Sequence, residues 1–225
     1  MLIVRGKIMG IEARRKRVKE LRRQTILRAA RKLFFEKGFK NVTVESIAKK
    51  ADISKGAVYL HFASKEEIYT QILLSDTDKH HKLITGIIKN SDQSSTENLL
   101  NLAQSYVDFF LNDRELFRIF MNYMLHTDHM NLPEELDKQI VKAVNRNMDV
   151  VTDGLQQGIE SGEFPPSMNL LQHRNAIWGL LNGIISLHLF TGPETRREAR
   201  IRATIQEGLE TYLIGLREAN RSEKK

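Results

Sequence analysis

The sequence predicts an all-α fold, and three observations carry that reading. Proline and glycine, 4 and 13 residues of 225, fall between stretches whose apolar side chains recur at helical spacing. The β-branched alternation and hairpin turn signals of a sheet protein are missing. No segment repeats at a solenoid period. Together these predict about nine helices.

The first helix runs to Lys37, with Ile26, Leu27, Ala30, Leu33 and Phe34 on one apolar side and Gly38 placed to end it in a left-handed cap. Thr43 caps a short helix reaching Ala51; Asp52 and Ile53 turn the chain; Ser54 caps another short helix reaching His61. Ser64-Lys65-Glu66-Glu67 reads as a capping box that opens a longer helix to Lys89. Asn90 to Thr96 is the clearest polar linker. Glu97 to Leu111 and Arg114 to His126 are apolar-rich helices, the second capped by Asp113. Pro133 suits a first helical turn and starts a long helix with the stripe Leu136, Ile140, Val144, Met148, Val151, Leu155 and Ile159, ending at Gly162. After the break at Phe164-Pro165-Pro166, two helices follow, Leu170 to Thr191 and Glu194 to Arg217, divided by Gly192-Pro193. Arg221 to Lys225 reads as a frayed, charged tail.

Charge divides the chain. Residues 1–70 hold 18 Lys or Arg against 7 Asp or Glu, a net +11, while the remainder holds 17 against 21, a net −4. A basic head on a mildly acidic body is the footprint of a polyanion-binding module, because phosphate neutralisation supplies most nonspecific affinity for DNA. The same face also serves solubility or a membrane surface, so charge alone leaves the partner open.

Several classes are disfavoured. Zero cysteines remove disulfides, thiolate nucleophiles and thiolate zinc sites. Met1 to Val4 is too short for a signal-peptide core, and no apolar run approaches bilayer length, so the expected location is the cytoplasm with no membrane partner. Gly-rich phosphate loops, nucleophile elbows and paired carboxylates are missing, which argues against an enzyme and against a cofactor. His126 and His129 with Asp128 lack a strong third ligand, so no metal is expected. His80 and His81, adjacent on a helix, read as solvated.

Helix, three-residue turn and helix within about twenty residues is the arrangement that places a second helix in the major groove while the first braces it. Ile47, Ala48 and Ala51, with Ile53 and Val58, close the small core between them, leaving Lys55, Gly56, Ala57 and Tyr59 to face outward.

Ile26-Leu27-Arg28-Ala29-Ala30, Leu33-Phe34, Gly38-Phe39, Val42-Thr43-Val44, Ile47-Ala48, the run Ala51 to Phe62, and Ser64-Lys65-Glu66-Glu67 together resemble the DNA-binding domain of the TetR family. The likeness covers residues 22–70. It implies a basic extension over 1–21, a helix-turn-helix domain over 22–68, and a helical ligand-binding and dimerisation domain over 69–225. It implies that Thr43 and Lys65 meet phosphates, that Lys55, Gly56 and Ala57 meet base edges, that Tyr59 and His61 reach the backbone, and that Ser54 belongs to the same DNA-binding set. Thr43 and Ser54 serve as caps in any case, and His61 fits a buried structural role equally well. Glu45 departs from members that carry a guanine-reading arginine there, which shifts base reading towards Lys55. The basic run Arg14 to Lys19 with Arg22 and Arg23 extends the first helix and either touches flanking phosphates or is merely solvated.

Beyond residue 70 the resemblance is architectural. Tyr106, Phe109, Phe110, Phe117, Phe120, Met121 and Met124 cluster in two neighbouring helices; they supply either an ordinary core or, as the resemblance implies, an apolar effector pocket with Trp178 and Asn182 on its wall. Gly179 and Gly183, four residues apart, let another helix approach. The resemblance implies a homodimer built on the last two helices, with Gly179, Gly183, Leu187, Ile205, Leu209 and Tyr212 at its interface. The expected function is a repressor that binds palindromic double-stranded DNA as a dimer and releases it when a small apolar effector acts through the fourth helix. The alternatives are an architectural nucleoid protein without effector and an enzyme housed in the C-terminal domain.

Overall fold

The computed structural model describes residues 2–89, 92–190 and 196–223, together with their side chains apart from those of 2–11, 127–129, 189–190 and 223. Among the described residues there are nine helices and no strand: α1 (Leu2–Lys37), α2 (Val44–Lys50), α3 (Lys55–Tyr59), α4 (Lys65–Lys89), α5 (Ser95–Leu111), α6 (Arg114–Met130), α7 (Glu134–Glu160), α8 (Leu170–Phe190) and α9 (Arg197–Glu223). The Gly192-Pro193 break, Asn90-Ser91 of the linker, the side chains of Asp128 and His129, and the last two residues of the tail lie outside the described residues.

Two compact units emerge, Met1–Ser75 with Glu115–Ile140, and Asp76–Arg114 with Val141–Lys225. In the first, Ile26, Ala30, Val42, Ile47, Val58 and Ile68 are fully buried. Phe34, Phe39 and Tyr69 close that core as a ring triad, with centroids 5.1–5.8 Å apart. The Tyr69 hydroxyl donates to the Ile119 carbonyl at 2.6 Å, so α6 is tied to α4 by a buried hydrogen bond. Gly38 ends α1 at φ +72°, its amide donating to the Phe34 carbonyl at 2.9 Å, as a left-handed cap requires. Helix α6 is broken at His126, whose φ of −136° is not helical, and continues to Met130.

The second unit is built on α9, whose Ile201, Ile205, Leu209 and Leu213 are fully buried at the i, i+4, i+8, i+12 spacing of one helix side. Helix α9 packs against α8 and α5. Gly208 faces α8: a Cβ there would stand in ordinary contact, 3.7 Å, with both Leu180 and Ile184. Glu163 accepts from the Ser95 and Thr96 amides at 2.9 and 3.2 Å, closing the first turn of α5 from the α7–α8 loop.

Two sequence expectations need correction. The frayed tail is helical as far as Glu223, because Asn220 is buried and donates from Nδ2 to the Gly162 carbonyl at 2.7 Å. In the box at 64–67, Ser64 Oγ does accept from the Glu67 amide at 3.1 Å, but the Glu67 carboxylate returns to the Ala63 amide, at 2.6 Å, rather than to Ser64.

Candidate nucleic-acid interface

Helices α2 and α3 are each too short to persist alone, so their shape rests on caps and on the core beneath them. Thr43 Oγ1 accepts from the Ser46 amide and Ser46 Oγ from the Thr43 amide, both at 3.1 Å, a reciprocal capping box. The Thr-x-x-Ser spacing carries its signal in the sequence. Asp52 takes φ +55° in the turn, and the Ile53 amide returns to the Ala48 carbonyl at 3.1 Å. Ser54 Oγ accepts from the Ala57 amide at 3.1 Å and starts α3. Ala48 and Val58 are buried where the two helices meet, whereas Ile53 is only half-buried.

The other side of α3 faces away from the chain. Thr43, Ser54, Lys55, Gly56 and Tyr59 are exposed and Ala57 half-buried. Gly56 is informative: the nearest atom to a Cβ built there is Ser54 Oγ at 4.0 Å, so no packing within the chain requires a glycine. Leu60, unremarked in the sequence reading, is 79% exposed beside Tyr59.

His61 is half-buried, and its Nδ1 is buried without a partner. Desolvation lowers its pKa first, and the positive charges of Lys19, Arg22 and Arg23 lower it further, so the imidazole is neutral at pH 7 within a cationic surround. Arg23 is itself held, donating to Gln71 Oε1 at 2.5 Å and lying 5.2 Å over the Phe62 ring.

Lys65 has a structural role that the sequence reading missed. Its ammonium donates to the carbonyls of Phe39 and Val42 at 3.0 and 3.1 Å and lies 4.3 Å over the Phe39 ring, pinning the α1–α2 connection.

In the second unit, Tyr106, Phe109, Phe110, Trp178 and Asn182 come together. Phe110 packs edge-on against Tyr106 and Phe109, with centroids at 4.7 and 4.9 Å. The Tyr106 hydroxyl donates to Asn182 Oδ1 at 2.7 Å, and Asn182 Nδ2 donates to the Trp178 carbonyl at 2.8 Å. Burial pushes the Tyr106 phenol pKa upward. Phe117, Phe120, Met121 and Met124 belong to the first unit, where Phe117 and Phe120 are buried, Met121 is half-buried and Met124 is exposed.

The reading of His80 and His81 as solvated is overturned. His80 is buried, stacked 4.5 Å from the Phe109 ring, with Nδ1 3.5 Å from Asn147 Nδ2; His81 is half-buried. The reason is helical phase: Leu73, Thr77, His80, Ile84 and Ile88 form the buried stripe of α4. Desolvation, helped by neighbouring His81, lowers the His80 pKa to about 4, and a backbone interaction at Ser105 offsets part of that.

The predicted interface residues divide as well. Among the described residues, a Cβ at Gly179 or Gly183 would meet nothing within 4 Å, and Leu187 is 59% exposed. Ile205 and Leu209 are corrected: both are fully buried inside the subunit and unavailable to a second one. Tyr212 is half-buried, its hydroxyl 2.5 Å from His173 Nδ1. The exposed side of α9 runs instead through Thr204, Thr211, Ile214 and Gly215.

Residues 26–72 match the family described as bacterial regulatory proteins, tetR family. The chain is 26% identical over 204 residues to the HTH-type transcriptional regulator YfiR of Bacillus subtilis, covering 87% of this chain and 93% of that one. Its fold is similar to a TetR-family regulator from Mesorhizobium loti, with TM-score 0.68, 22% identity, and 87% and 96% of the two chains covered. It is also similar to the regulator FadR of Bacillus subtilis in complex with stearoyl-CoA, with TM-score 0.68, 19% identity, and 84% and 96% covered. Helix-turn-helix, matched segment and relatives agree: residues 26–72 form a DNA-binding domain of the tetR family of bacterial regulatory proteins, and the chain as a whole is similar to HTH-type transcriptional regulators.

Proposed function

We propose that the protein is a homodimeric repressor that holds a palindromic operator through α3 of each subunit and releases it when a small apolar effector occupies the C-terminal helices. The observation that carries this reading is the outward side of α3, where Lys55, Gly56 and Tyr59 are exposed and a Cβ at Gly56 would come no nearer than 4.0 Å to a neighbouring side chain, that of Ser54. A glycine there lets a backbone approach base edges closely, Lys55 supplies a donor to them, and the Tyr59 hydroxyl suits a phosphate. Thr43, Ser54, Ala57, His61 and Lys65 complete the proposed DNA-facing set, the caps and Lys65 acting chiefly by holding the helices in place.

Dimerisation is supported by the open glycines of α8 with Leu187 and by the exposed Ile214 and Gly215 of α9. One recognition helix reads too few base pairs for useful specificity; a two-fold pair reads a palindrome. The Tyr106, Phe109, Phe110, Trp178 and Asn182 cluster supports the effector site. The FadR neighbour holds an acyl-CoA, stearoyl-CoA. An effector shifts operator affinity only as far as it binds the released state more tightly.

Footprinting with the purified protein tests the first half: a discrete palindrome is expected, and uniform protection would favour the architectural alternative. Titrating the footprinted duplex in the presence of fatty acids, acyl-CoAs and other apolar compounds tests the second. An effector should weaken binding, and a panel that never does so would leave a constitutive binder.

A further inference from the structure

Helix α1 leaves the helix-turn-helix core well before its N-terminus, and the side that leaves is cationic. Ile26, Ala30 and Leu33 are the residues that α1 buries in that core. Followed backwards at the same spacing of three and four, this side of the helix continues through Arg22, Lys19 and Arg15, all exposed. The apolar stripe therefore becomes a row of cations at the point where the core stops covering it. Glu20, an acid within the stretch, is engaged with Arg23 and Gln24, and Glu12 lies at the outer end of the row. Arg23, the neighbour of Arg22, lies 5.2 Å over the ring of Phe62, which follows α3, so the row begins beside the end of the recognition helix. At 1.5 Å per residue, Arg15 to Arg22 spans about 10 Å, the length of about three base-pair steps.

We propose that Arg15, Lys19 and Arg22 form a second DNA-binding element, gripping the sugar-phosphate backbone of the duplex that flanks each operator half-site. Charge complementarity selects this occupant: three exposed cations in one row beside a DNA-reading helix match a strand of phosphates. Cations set along a helix outside the recognition helix neutralise phosphates whatever the bases, so the row adds affinity and salt dependence without sequence preference. The inference rests on the operator reading above, yet it is tested separately.

The test uses the full-length dimer and the triple variant R15Q/K19Q/R22Q, glutamine preserving helix propensity. Affinity is measured over a salt series on two duplexes carrying the footprinted palindrome, one trimmed to the half-sites and one extended by about ten base pairs, one turn, on each side. Wild-type protein should bind the extended duplex more tightly and with a steeper salt slope, by about 0.9 for each phosphate neutralised. The triple variant should lose that gain, by about two slope units or more per dimer, while keeping its ratio of operator to scrambled-sequence affinity. An equal slope in variant and wild type on the extended duplex, or an equal loss on both duplexes, overturns the proposal. The variant R14Q/R17Q, which removes cations from another side of α1, should leave the flank gain in place; loss of the gain there also overturns it. If no palindrome is found, the operator reading fails, and the slope difference on a random duplex still decides this one.

Discussion

Two glycines in helices, one in each unit, show what separates the DNA-binding head from the body. Gly56 faces open space, and nothing inside the chain needs it small. Gly158, on α7, faces the Phe164 ring, whose Cδ2 would lie only 2.0 Å from an added Cβ. Phe164 is itself fully buried, and both its amide and that of Glu163 donate to the Gly158 carbonyl, at 2.9 and 2.8 Å. No packing inside the head asks for its glycine, whereas the body's glycine is required by the body's own ring.

The sharpest way to break that contrast is Gly158→Ala. The ring cannot give way without opening the α7–α8 connection, so overpacking should cost about 3 kcal/mol despite the better helix propensity of alanine. Equilibrium denaturation would measure it; a variant as stable as wild type would mean that the ring rearranges freely.

A second difference lies in how the two cores treat polar groups. In the head, polar side chains mostly sit at caps and surfaces; in the body His80, Ser105 and Asn98 lie inside. His80 makes this measurable. Its pKa is about 4 in the fold against 6.5 in an unfolded chain, so the unfolded state binds more protons between these values. Stability is therefore full above pH 6.5 and falls as the pH drops towards 4, by about 3 kcal/mol at most. His80→Phe should flatten that part of the pH–stability curve. An unchanged curve would assign the acid sensitivity to other groups.

These differences also explain what the sequence made legible. The head could be read almost residue by residue because its determinants are local: Thr43 and Ser54 cap within three residues, Asp52 turns the chain, and Gly38 stops a helix. Lys65 escaped because its partners, the carbonyls of Phe39 and Val42, are 26 and 23 residues away. In the body, helices were visible from periodicity but their facing was not. The α4 stripe of Leu73, Thr77, His80, Ile84 and Ile88 held the signal for His80, hidden because a histidine is not counted as apolar. Ile205 and Leu209 were assigned to a dimer surface because an apolar stripe looks the same whether it meets its own subunit or another. Gly208, not Gly179 or Gly183, is the glycine that faces α8 side chains across the α8–α9 contact.

Lys65 gives an intermediate effect and sharpens the comparison from the side of the head. Lys65→Gln removes a cation that donates to two carbonyls over an aromatic ring. Hydrogen bonds to charged groups contribute about 1.5–3 kcal/mol, and the partial exposure of this one sets the expectation near the lower end, about 2 kcal/mol in all. Stability should fall and operator affinity should fall with it, because the α1–α2 connection positions Thr43. A variant of full stability that had lost only DNA affinity would restore Lys65 to a purely phosphate-binding role.

The smallest effect on folding belongs to Gly56→Ala, and it is the most diagnostic. With no atom of the chain within 4 Å beyond Ser54 Oγ, the new methyl group meets only solvent in the free protein. Alanine in place of glycine in a short helix should raise stability by about 0.5–1 kcal/mol. Operator affinity should move the other way, by about tenfold or more, because the methyl stands on the surface proposed to approach base edges, and steric overlap there costs about what overpacking costs in a core. Thermal unfolding and a DNA titration on the same preparation would show the two responses with opposite signs. Equal operator affinity in variant and wild type would mean that α3 does not present this side to the duplex, and the proposed recognition surface would then have to be sought elsewhere on the head.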